Sequence, residues 1–191
     1  MRVFVGLDIP TEIRERISAY MEHARVFAPE ARWVRPESLH VTLKFIGEVS
    51  EVRVEHIKRA LLPIQAQPLT IEFKDSGFFP DFKNARVFNA RVFWIGVHAS
   101  DALAQLAATV DTALVELGLP REEKAFHPHL TLARAPQERT RNQCFQQLQQ
   151  HIHPDETLSF GTMTAKEFFL FKSELLRGGA RYTKVERFPL A

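Results

Sequence analysis

Leu39-His40-Val41-Thr42-Leu43 and Pro128-His129-Leu130-Thr131-Leu132 decide how this chain folds, because one His-x-Thr-Leu run returns after 89 residues (129 minus 40). Each run is short, aliphatic and bounded by polar residues, which predicts a strand. Side chains in an extended strand alternate between faces. His40, Thr42 and Lys44 are therefore expected on one face, with Leu39, Val41, Leu43 and Phe45 on the other. His129 and Thr131 repeat the arrangement in front of Leu130 and Leu132, and His127 joins their polar face. A polar row backed by an apolar row predicts a strand with a cleft before it and a core behind it.

The repetition extends outward from these runs. Arg2-Val3-Phe4-Val5-Gly6-Leu7 and Arg91-Val92-Phe93-Trp94-Ile95-Gly96-Val97 open with the same three residues, again 89 apart (91 minus 2). Both read as strands, and each meets a helix signal at one offset, with Thr11 and Ser100 as N-cap candidates ahead of Glu12 and Asp101. Helical spacing follows: Ile13, Ile17, Met21 and Ala24 in the first half, Leu103, Leu106, Ala107, Val110 and Leu114 in the second. After the His-x-Thr runs come two further amphipathic stretches, carrying Val54, Ile57 and Leu61, then Phe145, Leu148 and Ile152.

Internal self-similarity at a fixed offset organises a fold. It predicts an α+β chain of two pseudo-symmetric β-α-β-α lobes within a single bilobal domain spanning residues 1–191. The first repeat covers about 1–62 and the second about 91–152. Between them the chain is turn-rich at Pro63, Pro68, Asp75-Ser76-Gly77 and Pro80-Asp81. Connecting strands and C-terminal strands around Gly178-Gly179 are expected to complete two sheets. Asn84-Ala85-Arg86-Val87-Phe88 is repeated at once as Asn89-Ala90-Arg91-Val92-Phe93. Five is odd, so only one copy fits a given sheet register. The second is assigned to the strand because it matches the 89-residue offset.

Of 191 residues, 45% are hydrophobic and 25% charged, which describes a soluble globular protein. A single cysteine, Cys144, excludes an intramolecular disulfide and a thiolate-rich zinc site, and it reads as packing. The apolar N-terminal run is too short for a signal-peptide core, and no later run approaches membrane-spanning length. A cytoplasmic monomer is the expectation. A net charge of only +2 argues against a broad surface for long nucleic acid and for a small anionic end-group.

Phosphoryl transfer places the entering and leaving oxygens on opposite sides of phosphorus, so it needs an acid and a base across from each other. Two symmetry-related histidines supply them, since an ordinary histidine pKa lets one be neutral and the other protonated near neutral pH. The threonines, about 7 Å along each strand, can direct hydroxyls at the non-bridging oxygens. A lone His-x-Thr is weak; the matched pair favours hydrolysis by His40, His129, Thr42 and Thr131 without metal or cofactor.

At these residues the sequence resembles the two-histidine phosphoesterase superfamily, and within it the RNA 2′,3′-cyclic phosphodiesterases, also called LigT-like or 2′-5′ RNA ligases. The resemblance takes in residues 2–10 and 32–47, Gly77-Phe78-Phe79-Pro80, residues 128–134 and Phe188-Pro189-Leu190. It implies a bilobal α+β fold with two mainly antiparallel sheets flanking a central cleft and helices outside. It also implies opening of a terminal 2′,3′-cyclic phosphate to a 2′-phosphate, and a reverse reaction that joins RNA ends through a 2′-5′ bond. Carried over, His40 protonates the departing 3′ oxygen, His129 activates water, and Thr42 and Thr131 hold the phosphate. The implied partners are RNA with a cyclic phosphate end, tRNA halves among them, or a small cyclic nucleotide. Where the family often has arginine before the second Pro-His, this chain has His127. Protonated His127 or Arg134 are the candidates to replace it.

Two rival readings remain. His127, His129, His151 and His153 have pairings that zinc or iron could use, although that leaves His40 unexplained. A binding module for nucleotides or RNA ends could use the same cleft without needing all four His and Thr positions. Trp33, Phe78 and Phe79 are candidates to stack on a base, against packing between the lobes. For Lys44 and Arg134 a solvated edge and a phosphate contact fit equally.

Overall fold

Apolar residues at helical spacing bury where that spacing puts them. The computed structural model describes residues 1–80, 90–136, 144–152, 158–176 and 179–191. The first half comprises β1 (Arg2–Asp8), α1 (Thr11–Arg25), β2 (Arg32–Trp33), β3 (His40–Glu48) and α2 (Glu51–Leu61), with a 3-10 turn at Pro36–Ser38 leading into β3. The second comprises β5 (Val92–Ala99), α3 (Asp101–Glu116), β6 (His129–Arg134) and α4 (Gln146–His151). β4 (Leu69–Phe79) joins the halves, and β7 (Ser159–Ala165), β8 (Glu167–Leu176) and β9 (Gly179–Pro189) follow.

Every residue predicted for a helix face is buried in the core except Ile152, which is partly buried against it. Burying each Leu, Ile or Val is worth roughly 1.5–3 kcal/mol, so these faces clamp the helices to the sheets. Ser100 caps α3 by position, but Pro10 takes that place before α1 and Thr11 is already helical. Among the described residues no helix is long and apolar enough to cross a membrane.

The strands form two sheets, ordered β3-β1-β8-β9 and β2-β6-β5-β4-β7. All their pairings are antiparallel. C-terminal strands complete both: β7 closes one edge of the second sheet, while β8 lies beside β1 and carries β9 in the first. One hydrophobic cluster draws residues from both halves; a second, of Phe4, Phe169 and Phe171 with Tyr182 against it, lies on the other face of the first sheet.

The register amends the repeat by one residue. Thr42 lies opposite Gly6 in the first half, and Thr131 lies opposite Trp94 in the second. The β1-to-β5 offset is therefore 88 (94 minus 6), not the 89 that the shared Arg-Val-Phe suggests. A one-residue slip exchanges faces: Phe4 joins the outer aromatic cluster, whereas Phe93 is fully buried in the main core. The second Asn-Ala-Arg-Val-Phe copy does enter β5, and the first lies outside the described residues.

Asp75-Ser76-Gly77 is not a turn but part of β4. Asp75 takes a positive φ of 60°, the pairing with β5 shifts register there, and the strand absorbs the extra residue as a bulge. Gly77 sits opposite Trp94, where an added Cβ would meet the indole at 2.4 Å.

Candidate functional site

The two His-x-Thr strands approach each other, β3 from the edge of one sheet and β6 from near the edge of the other. Val41 and Leu130 are fully buried behind them, while His40, Thr42, His129 and Thr131 are half-buried in front. The four side chains thus lie on the faces that alternation predicts.

Alternation then fails at the same point in both strands. Between Thr42 and Lys44 the pairing of β3 with β1 gains an unpaired residue, and between Thr131 and Ala133 the pairing of β6 with β5 does likewise. Each bulge reverses the residues beyond it. Lys44 accordingly turns into the core side, where its ammonium meets Asp111 Oδ1 of α3 at 2.5 Å and donates to the Pro120 carbonyl at 2.8 Å. It does not share a face with His40 and Thr42, and the expectation of a phosphate contact from Lys44 is corrected. Phe45, expected in the core, is exposed and packs toward Phe4. The equivalent bulge in β6 buries Ala133 and brings Arg134 out on the cleft side.

Each imidazole is held by the same device. His40 Nδ1 donates to the Ser38 carbonyl at 2.8 Å, and His129 Nδ1 donates to the His127 carbonyl at 2.7 Å. A carbonyl oxygen only accepts, so Nδ1 carries the hydrogen and Nε2 is left for chemistry in both rings. Tyr182 lies edge-on to His40 at 4.8 Å with Phe4 at 4.6 Å, while Phe79 is edge-on to His129 at 5.1 Å.

Electrostatics join the two rings. Burial pushes the His40 pKa down to about 4, with Arg134 and His129 adding to the effect while the Ser38 carbonyl and Asp8 oppose it. His129 is lowered too, first by burial and then by Arg134 and His127. Arg134 therefore bears on both imidazoles, and His129 bears on His40. Both rings are neutral near pH 7 until an anion arrives, and an anion between them raises both pKa values.

Arg14 anchors the segment that carries His40. Its guanidinium donates to Asp8 Oδ1 at 2.7 Å and to the carbonyls of Ile9, Pro36 and Leu39 at 2.9, 2.7 and 3.3 Å. Asp8 also pairs with Lys184 at 2.5 Å. Burial alone would raise the Asp8 carboxyl, but Lys184 and Arg14 together hold it below its ordinary value. Sequence reasoning singled out neither Arg14 nor Tyr182, since no motif marks a side chain that acts through carbonyls or from a distant strand.

The remaining candidates separate cleanly. His127 is exposed and contributes its carbonyl. Phe79 stands against His129, whereas Phe78 is buried against Phe93 and Phe145 and belongs to the core. Trp33 is half-buried, its indole donating to the Ala28 carbonyl at 2.9 Å. Cys144 is buried. His151 does not join His127 and His129: it stacks on Phe27 at 3.9 Å, in the layer of α1 and α4 behind the second sheet. His153 lies outside the described residues.

Comparison with known proteins gives one answer. Residues 7–88 and 95–182 match the family described as LigT like Phosphoesterase. A protein of Archaeoglobus fulgidus named RNA 2′,3′-cyclic phosphodiesterase is 33% identical, over 98% of this chain and 99% of its own. Its namesake in Escherichia coli is 31% identical, over 99% and 96%. The crystal structure of Escherichia coli LigT complexed with 3′-AMP superposes with a TM-score of 0.78 at 29% identity, covering 99% of this chain and 97% of that one. LigT complexed with phosphate gives 0.74 at 29%, covering 99% and 96%.

Proposed function

Because this chain belongs to the LigT-like phosphoesterase family and is a hydrolase acting on phosphodiester bonds, we propose that it opens terminal 2′,3′-cyclic phosphates on RNA, leaving a 2′-phosphate. The observation that carries this reading is the pair of imidazoles with matched Nδ1 clamps, set at equivalent places on β3 and β6, the two strands that approach each other from the two sheets.

The cyclic phosphate lies between the two rings. His40, made protonated by the anion, gives its Nε2 proton to the departing 3′ oxygen; His129 Nε2 accepts a proton from the attacking water. The P–O3′ bond breaks as the water–phosphorus bond forms, and one proton has moved from water to His129 and another from His40 to the ribose. Thr42 and Thr131 donate to the non-bridging oxygens, and Arg134 opposes the charge that accumulates there. With the 5′-hydroxyl of a second RNA in the place of water, the same groups join RNA ends through a 2′-5′ bond: His129 accepts the hydroxyl proton, the P–O5′ bond forms and the P–O3′ bond breaks with His40 protonating O3′. The reverse of that step cleaves the 2′-5′ bond. No step requires a metal ion, and a monomer carries every group.

Turnover of RNA ending in a cyclic phosphate, with the product mapped, tests the reading. EDTA is expected to leave the rate unchanged. Either His40→Ala or His129→Ala is expected to lower kcat about 10²–10⁴-fold, the range for a general acid or base. Loss of turnover on chelation, or a 3′-phosphate product, would overturn it.

A further inference from the structure

Beside the histidines runs a second groove of about 500 Å³ whose chemistry the cyclic phosphate alone does not use. It is lined by Arg2 from β1, Arg32 from β2, Arg35 from the turn before β3 and Arg134 from β6, together with Trp33 and Tyr182. Among the described residues that line it there is no Asp or Glu. Arg32 and Arg134 are direct cross-strand partners, an arrangement in which like charges destabilise a sheet. After burial and the opposing influence of Tyr182, Arg32 and Arg2 are the causes that lower the Arg134 pKa, so the guanidiniums crowd one another. An anion brought into the groove relieves that repulsion.

The groove opens into the site already described. Its wall includes Arg134, which bears on both imidazoles, and Tyr182, whose ring lies against His40. Ser38 completes the junction, its carbonyl holding His40 Nδ1 and its hydroxyl donating to the Ala180 carbonyl at 3.0 Å. A strand whose terminal phosphate sits between the histidines must leave along a neighbouring channel, and this one is lined with arginines.

We propose that the groove formed by Arg2, Arg32 and Arg35 binds the phosphodiesters of the RNA strand that precede its terminal cyclic phosphate, so that the protein selects polynucleotide ends over cyclic mononucleotides. The inference rests on the phosphodiesterase reading above and names the substrate class of that site. Arginine suits the task because its planar fork matches phosphate oxygens in a bidentate fashion. The half-buried Trp33 offers an aromatic face in the same channel for a base to stack on.

The test compares kcat/KM for a 2′,3′-cyclic mononucleotide with that for a single-stranded RNA oligonucleotide bearing the same end, in the wild type, Arg2→Gln, Arg32→Gln and Arg35→Gln. The wild type should favour the oligonucleotide, and each substitution should reduce that preference about tenfold, the effect of removing one charge-assisted hydrogen bond. The salt dependence of oligonucleotide binding should become shallower by about 0.7 in logarithmic slope for each arginine–phosphate pair removed. Because Arg32→Gln removes a like-charge pair, its Tm should hold or rise, which separates impaired recognition from impaired folding. Equal rates on both substrates, or losses that run in step on the two, would overturn the proposal. If neither substrate is turned over, the reaction assigned above fails instead; the groove is then judged by fluorescence anisotropy of the oligonucleotide, and binding that the three substitutions leave unchanged would overturn it.

Discussion

At the scale of single residues, the site is governed by two bulges and two carbonyls. The positions of His40, Thr42, His129 and Thr131 were legible from alternation alone, because a buried aliphatic residue separates each pair. Lys44 and Arg134 were not, because a single unpaired residue reverses everything beyond it and nothing in Leu43-Lys44 or Leu132-Ala133 announces one. The histidine pKa values were also hidden: an ordinary value near 6.5 suggested one charged ring and one neutral ring, whereas burial lowers both. The sign of the pH dependence follows. An acid must hold its proton and a base must lose it, so activity is bell-shaped, and in the free protein both limbs are displaced to low pH. Bound phosphate raises both pKa values. The kcat profile, which reports the complex, should therefore lie at higher pH than the kcat/KM profile, which reports the free enzyme. Superimposable profiles measured between about pH 4 and 9 would contradict this.

At the scale of elements, the helices were the most legible part of the chain, because apolar spacing over several turns survives small errors of register. The strand repeat was legible in outline and wrong by one residue, since the shared Arg-Val-Phe aligns Phe4 with Phe93 although they occupy opposite faces. Lys44 shows what the bulge in β3 accomplishes instead of catalysis: it ties the first sheet to α3. Asp111 is held below its ordinary pKa because hydrogen bonds from Lys44 and the Glu122 amide, with Arg121 nearby, outweigh a burial that would raise it. Replacing Lys44 with Met leaves a buried carboxylate without its main partner, which costs about 3–5 kcal/mol. Denaturant titration should show that loss, with kcat/KM of the surviving folded fraction unchanged. A selective loss of activity without a loss of stability would return Lys44 to the site.

At the scale of the whole molecule, the two halves share one core while their second faces stay free to line a cleft. The first sheet is completed only when β8 and β9 return beside β1, which brings Tyr182 to His40 from far along the chain. Sequence patterns of short range could not place that contact. Net charge misled in a different way: a total of +2 averages over a surface on which four arginines gather about one groove. The central claim is that two imidazoles share a single phosphate, and the direct measurement is an NMR titration of both ring Nε2 atoms with and without a 2′-phosphorylated nucleotide. Upward movement of the His40 and His129 pKa values together is the predicted result. Movement of one ring while the other stays at its free value would contradict the account.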